Sequence, residues 1–332
     1  MKSKRNTVVS RRAALAVAAG IALALSTAPV GAQTFNGPVK IVVPSQAGGT
    51  SDLFARIIAP GVSKAIGKPV VVENRPGAAN NIGAGYVANS APDGHTLLVV
   101  DVSALAISAN LLKDLNYKLK TDLTGVTMLS FTPYVLGINN NLPPKTATEL
   151  KAFAGANPDK INAGSSGPGA LSHLTSVTLT RSWNAEAATQ VPYRGIAGAV
   201  AAVVSGEASM VVGGVETLRS FVEAKQIRGI AVSGPVRLPW APDLPTFAEL
   251  GWPMPNAGSW QGVLVQGKTP PAMVNALYDA VKAAVAEPET AKRIKELGGE
   301  LRTEGPAQLN GWLDSETVTL GKFLREANVQ AP

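Results

Sequence analysis

The sequence predicts an α/β fold in two lobes, each lobe a mostly parallel sheet covered by helices. Two observations carry this. Short apolar strands alternate with helical segments at the spacing of strand–helix–strand units, and the alternation occurs in both halves of the chain. The 332 residues also include a leader, and the about 300 that remain suit two domains at roughly 150 residues each. Hydrophobic residues make up 45% of the chain and charged residues 16%. That is enough apolar surface for sizeable cores and too little charge for a disordered chain.

The leader comes first. Residues 2–12 carry Lys2, Lys4, Arg5, Arg11 and Arg12 and no acid, residues 13–25 form an apolar run, and Val30-Gly31-Ala32 supplies the small residues that a signal peptidase reads. Residues 1–32 are therefore read as a cleaved signal peptide. In a bacterium it delivers the chain beyond the inner membrane, by the general secretory route or, given the Arg11-Arg12 pair, by the twin-arginine route. The apolar run falls short of the ~20 residues that a spanning helix needs, and no later segment is long and apolar enough either. A soluble mature protein starting near Gln33 is expected.

Residues 39–43 read as a buried strand, followed by a turn of small residues at 44–51 and a helical periodicity in Leu53, Phe54, Ile57, Ile58, Val62 and Ile66. Pro60-Gly61 falls inside that helix and predicts a kink or a split. A second strand at 70–73 closes on Asn74-Arg75-Pro76-Gly77, a helix is expected over 81–90, and a third strand over 96–100 follows the turn Pro92-Asp93-Gly94. The pattern repeats with strands at 161–163, 190–193, 210–212 and 227–232, and with helices from Ala170 and over 195–204. Residues 126–138 and 259–265 flank this second set and are read as crossings between lobes. That assigns 33–132 plus 258–332 to one lobe and 133–257 to the other. The C-terminal helices, opened by Pro270-Pro271 and closed by Gly298-Gly299, return to the first lobe.

Removing the five basic residues of the leader lowers the net charge from +7 to +2. The body then has no basic stripe of the kind a phosphate backbone requires, so nucleic acid is excluded as a partner. Zero cysteines exclude thiol catalysis, disulfides and thiolate metal sites, and the two histidines, His95 and His173, leave little for imidazole chemistry. No metal and no cofactor is called for.

Gly83-Ala84-Gly85-Tyr86-Val87-Ala88 matches a loose dinucleotide fingerprint. About nine loop residues separate it from the preceding strand, whereas a true fingerprint turns directly from strand into helix, so helix packing is the reading. Ser165 and Ser166 with His173 invite a hydrolase reading, but there is no G-x-S-x-G frame, and His173 stands two turns up the helix that follows the serines. No catalytic residue is assigned. Asp52 and Asp101 fall where a helix start or strand end uses a carboxylate, and capping is expected of them.

Three stretches share a more informative geometry. Ala47-Gly48-Gly49-Thr50-Ser51, Ser165-Ser166-Gly167-Pro168-Gly169 and Arg194-Gly195-Ile196-Ala197 each stand after a strand and before a helix. Helix N-termini present unpaired amides and a partial positive charge, and so hold carboxylates or phosphates without lysine. Two lobes that bring such loops face to face form an anion cleft.

At this point the chain resembles a known family. Ile41-Val42-Val43-Pro44, Ala47-Gly48-Gly49 with Asp52, Val70-Val71-Val72-Glu73-Asn74-Arg75-Pro76-Gly77, Ala91-Pro92-Asp93-Gly94, Val191-Pro192-Tyr193-Arg194-Gly195 and Asp243-Leu244-Pro245-Thr246 are similar to the Bug receptors. These are the extracytoplasmic solute-binding proteins of tripartite tricarboxylate transporters. The resemblance implies a two-lobed periplasmic binding protein with its ligand in the interlobe cleft. Site residues carried over from it are Gly48, Gly49, Thr50 and Ser51 in the first loop, then Ser165, Ser166, Gly167 and Gly169 with His173 in the second. Tyr193 and Arg194 follow in the third, and Gly213 stands at the end of a strand. Where receptors for amino-acid-like ligands usually carry aspartates around the strand at 210–212, this chain has Ser209 and Gly213. That departure points away from an ammonium site.

The expected function is capture of a small organic carboxylate, a dicarboxylate or an aromatic acid, by a monomer that hands it to membrane permease subunits of a tripartite tricarboxylate transporter. The rival readings are a ligand-sensing subunit of a two-component system and, more remotely, a hydrolase.

Overall fold

A computed structural model describes residues 35–193, 195–254 and 256–329. The leader read as a signal peptide, and Arg194 of the third loop, lie outside the described residues.

The first half builds β1 (Val39–Val43), α1 (Thr50–Ile66), β2 (Val70–Asn74), α2 (Asn81–Ala88), β3 (Thr96–Asp101), α3 (Val102–Leu111) and the short α4 (Leu119–Asp122). A long strand, β4 (Leu123–Ile138), leads into α5 (Ala147–Ala156), β5 (Asn162–Ser165), α6 (Leu171–Ser182), β6 (Thr189–Pro192), α7 (Ile196–Ser205), β7 (Met210–Gly214), α8 (Val215–Glu223) and β8 (Arg228–Val232). The chain returns through β9 (Gly258–Gln266) and ends in α9 (Pro271–Ala286), α10 (Pro288–Glu296), β10 (Glu300–Leu301) and α11 (Pro306–Glu326). The fold is α/β, with a central sheet in the order β2-β1-β3-β9-β4-β7-β5-β6 and with β8 and β10 joined to β4 off that path.

The sheet is less parallel than the sequence suggests. β1 pairs in parallel with β2 and β3, and β5 with β6 and β7, but every pairing of β4 or β9 is antiparallel. The reason is topological: β4 carries the chain out of the first set of strands and β9 carries it back, so the two run in opposite directions. Along β4 the pairing changes hands. Residues 123–133 pair with β9, and Tyr134 to Ile138 pair with β7.

Strands buried on both faces explain the unbroken apolar runs. Leu97 and Val99 point into a core with Phe54 and Ile58 of α1 and Leu277 and Val281 of α9. Leu98 and Val100, with the opposite parity, point into a core with Val87 of α2, Leu105 of α3 and Leu309 and Leu320 of α11. Further along, Leu136 and Ile138 pack with Leu150 and Trp183, while Val135 packs with Val200, Val203 and Leu218. Each such side chain contributes about 1.5–3 kcal/mol on full burial.

The expected split at Pro60 does not occur, and α1 runs on through it to Ile66. Ile58 and Val62 on either side are fully buried, and Gly61 lets α9 approach so closely that a Cβ there would stand 2.7 Å from the Ala284 Cβ. Packing carries the helix across one missing amide. The glycines of the fingerprint-like stretch also serve packing, Gly83 against Pro44 and Gly85 against Asn116.

Candidate functional site

A cleft of about 240 Å³ opens where the strands of both halves end. Its walls are Ser45, Gly49, Thr50 and Ser51 after β1, Asn80 before α2, Asp101 at the end of β3, Ser166 and Ser172 after β5, Ile196 after β6, and Gly213, Gly214 and Glu216 at the end of β7. Tyr134 of β4 and Ser259 and Gln261 of β9 supply the crossing strands' share. Each contribution comes from the carboxyl end of a parallel strand, from the first turn of the next helix, or from a crossing, which is where open α/β sheets place ligands.

Six helix starts therefore meet around one small volume. Those of α1, α2, α6 and α7, whose N-caps are Gly49, Asn80, Ala170 and Gly195, receive no side-chain cap. Their first-turn amides have no partner within the helix and carry partial positive charge, but at α2 the Asn81 and Ile82 amides already donate to the Ala78 and Gly77 carbonyls. The other two present an acid to the cleft, whereas Asp52 in the first turn of α1 lies outside its lining. Asp101 caps α3 by accepting from the Ser103 amide at 3.0 Å, as expected of it. Glu216 stands in the first turn of α8, and a Cβ added at Gly214 would collide with its carboxylate.

A hydrogen-bond chain forms one wall. Ser51 Oγ donates to Gln261 Oε1 at 2.8 Å, and Gln261 Nε2 donates to Ser259 Oγ at 2.8 Å. Asp101 accepts from the Ser259 side chain and from the Trp260 amide. Burial still pushes the Asp101 carboxyl up to about 6 against these donors. Burial likewise raises Glu216 to about 7, with Asp101 adding to it. Glu216 has solvent-exposed area, yet the cleft walls surround it, and the displaced bulk water is what its charge misses. Tyr134 is held neutral by burial and by these two acids.

Of the residues proposed from the sequence, Gly49, Thr50, Ser51, Ser166 and Gly213 line the cleft. Gly48, Ser165, Gly167, Gly169, His173 and Tyr193 are outside its lining. The Gly48 amide is already used, donating to Asp52 Oδ2 at 2.9 Å. Asp52 also accepts from Arg56 at 2.9 Å and from Asn74 at 2.9 Å, so it holds the first loop rather than a ligand. Gly169 N–H donates to His173 Nδ1 at 3.4 Å, and burial lowers the His173 pKa. Tyr193 donates its hydroxyl to Glu207 at 2.9 Å.

Two readings of the ligand's far end change. Ser209 is buried and bonded to the Asn162 backbone, away from the cleft, whereas Asp101 and Glu216 line it, so a countercharge for a cation is present after all. Gly213 and Gly214 leave no spare volume, because Ile196 and Leu218 fill the space at the first and the Glu216 carboxylate fills it at the second. Phe131 and Trp260 pack on each other, with ring centroids 4.2 Å apart, and neither lines the cleft.

The sequence model described as "Tripartite tricarboxylate transporter family receptor" matches residues 54–329. The chain belongs to this family. Among its relatives, a UPF0065 protein in the tcbD-tcbE intergenic region of Pseudomonas sp. strain P51 is 33% identical over 320 residues, covering 95% of each chain. The periplasmic binding protein BugD superposes with a TM-score of 0.75 at 28% identity, over 89% of this chain and 99% of its own. A Rhodopseudomonas palustris protein, Rpa4515, solved with adipate, gives 0.76 at 28%, over 89% and 98%. The family is one of transporter receptors that bind solutes, and the chain is a solute-binding protein, not an enzyme. Among the described residues no helix is long and apolar enough to cross a membrane.

Proposed function

We propose that the protein works in the periplasm, where it captures a small organic carboxylate in this cleft and delivers it to the permease subunits of a tripartite tricarboxylate transporter. The observation that carries the proposal is the convergence of three helix starts without a side-chain cap, those of α1, α6 and α7, on a volume of about 240 Å³. Oriented amides stabilise a carboxylate without a basic side chain and leave it free to depart when the amides move apart. Ser45 adds a hydroxyl that is shielded from solvent and has no hydrogen-bond partner among the described residues.

Of the two ligand classes expected from the sequence, an aliphatic chain suits this cleft better than an aromatic acid. Tyr134 is the single aromatic residue among its described walls, and the related receptor solved with adipate holds a straight-chain acid. The halves on either side of the crossings are proposed to act as two lobes that close on the solute. A thermal-shift screen of mono-, di- and tricarboxylates and aromatic acids tests the reading. A ligand at 100 times its dissociation constant stabilises the folded protein by about 2.7 kcal/mol. A screen in which no carboxylate raises the melting temperature would refute it.

A further inference from the structure

We infer that the solute carries a cationic group at the end opposite its bound carboxylate, and that Glu216, with Asp101 behind it, selects for that group. The inference rests on the carboxylate reading above and specifies the other end of the same ligand.

The cleft is electrically divided. On one side lie the helix starts without caps, at Gly49 to Ser51 and at Ser166 to Ser172, with neutral hydroxyls around them. On the other lie the two helix starts whose acids line the cleft, Asp101 at α3 and Glu216 at α8, whereas Asp52 in the first turn of α1 is taken up by Gly48, Arg56 and Asn74 outside the lining. At α8 the position an incoming anion would take is already occupied, since the Glu216 carboxylate lies over Gly214 at the helix N-cap. A second ligand carboxylate would there meet a carboxylate instead of amides. Among the described residues lining the cleft there is no lysine or arginine to offset the two acids.

Two carboxylates lining one cleft disfavour the charged state of each, and a cation between them relieves their mutual repulsion. An ammonium also supplies donors to acceptors that lack them, whereas a ligand acid supplies more acceptors. The groups that bear on Glu216 are Asp101 at the end of β3 and Tyr134 of β4, both lining the cleft. The Asp101 charge also acts on Glu316 of α11. None of these is a cation.

Isosteric pairs make the test direct. Succinate and 4-aminobutyrate, glutarate and 5-aminopentanoate, and adipate and 6-aminohexanoate differ mainly in exchanging one carboxylate for an ammonium, and glutarate and glutamate differ by an added ammonium. Calorimetry at pH 7 on the wild-type chain is expected to show the aminated member of at least one pair binding tenfold or more tightly than its partner. Glu216→Gln is expected to reduce that preference to within about threefold. Asp101→Asn, which keeps a good N-cap, is expected to weaken it without unfolding α3.

Titrations in two buffers of different ionisation enthalpy give a second readout. Binding of a cation draws Glu216 to its charged form and releases protons, whereas binding of a second anion takes protons up. Tighter binding of the dicarboxylate in every pair that binds, or proton uptake with the aminated ligand, overturns the inference and leaves the carboxylate reading intact. Binding by neither member of any pair, with no acid in the thermal screen active, overturns both.

Discussion

Ser51 in the first turn of α1 and Gln261 on β9 are 210 positions apart in the chain, and the Ser51 hydroxyl donates to the Gln261 amide oxygen at 2.8 Å. The bond ties a helix start of the cleft to a strand that crosses between the halves, and Gln261 passes the tie on to Ser259 and through it to Asp101. Gln261 and Ser51 are both buried. Replacing the amide by a hydrocarbon therefore leaves the buried Ser51 hydroxyl without its acceptor, at about 1–3 kcal/mol for a group left unpaired, while Ser259 keeps its bond to Asp101. Gln261→Leu is expected to lower the melting temperature by several degrees, given roughly 2–4 °C per kcal/mol in a chain of this size, and to weaken carboxylate binding. An unchanged melting curve would mean that Ser51 finds another partner.

The glycines of the first two loops are expected to behave differently from each other. Gly49 has φ −72°, which any residue adopts, and a Cβ there would stand 3.2 Å from Gln46 O and Ser45 Oγ, a tight but yielding contact in the cleft wall. Gly169 has φ +74°, a conformation that costs an L-residue about 1–2 kcal/mol, and its Cβ would meet the Leu111 side chain at 2.9 Å. Gly49→Val is expected to cut carboxylate affinity by tenfold or more with a melting point close to the wild type, because side-chain bulk now stands where an anion approaches the amides. Gly169→Val is expected to lose stability first. Calorimetry and thermal unfolding of the two variants separate these outcomes, and retained affinity in Gly49→Val would move the anion away from α1.

Much of the architecture could be read from residue patterns because β1, β3 and β7 are buried on both faces, which writes itself as uninterrupted apolar runs. The crossings at β4 and β9 were placed by the same signal, but their antiparallel sense was not, since apolar alternation carries no direction. Pro60 does not split its helix, because local propensity is overruled where Gly61 packs on Ala284. In the cleft, the loops around Gly49 and Ser166 announced themselves by small residues between a strand and a helix. Glu216 did not. An acid in the first turn of a helix is an ordinary feature, and only the meeting of six helix starts gives it a cleft to line.

Asp52 is expected to make the first loop acid-sensitive. Burial opposes its charge, but the bonds from Arg56, the Gly48 amide and Asn74 overcome that and hold its pKa below the usual carboxylate value of 3.8. A depressed folded-state pKa contributes stability that is present above the unfolded value and is lost as the pH falls through the folded one. The stability difference between the wild type and Asp52→Asn is therefore expected to be full at pH 6–7 and to shrink below about pH 4. Half of the Arg56 side chain faces solvent, so the exposed part of the ion pair adds little. Thermal unfolding of both proteins from pH 7 to pH 3 measures this, and a difference that does not vary with pH would remove the charge from the explanation.

Closure on the solute is expected to turn on the residues where β4 changes partners. Pro133 makes the last pair with β9, opposite Gly258, and Tyr134 makes the first with β7, opposite Gly214. Pro133 has no amide to give the ladder, and the Tyr134 amide is shared between the Ala257 carbonyl at 3.3 Å and Ser233 Oγ at 2.7 Å. The strand thus exchanges its partner at one step, with the Phe131–Trp260 pair packed immediately before it. Gly258 faces the Phe131 ring and the Thr132 carbonyl so closely that any side chain would wedge the two crossings apart. Bending at that step brings the start of α1 towards the starts of α6 and α8, and hinge closure of this kind is common in receptors that engulf a solute. Small-angle scattering is expected to show a smaller radius of gyration once a tight acid is bound. Gly258→Ala is expected to reduce that change and the affinity together. Identical radii with and without an acid whose binding calorimetry has established would place the motion elsewhere.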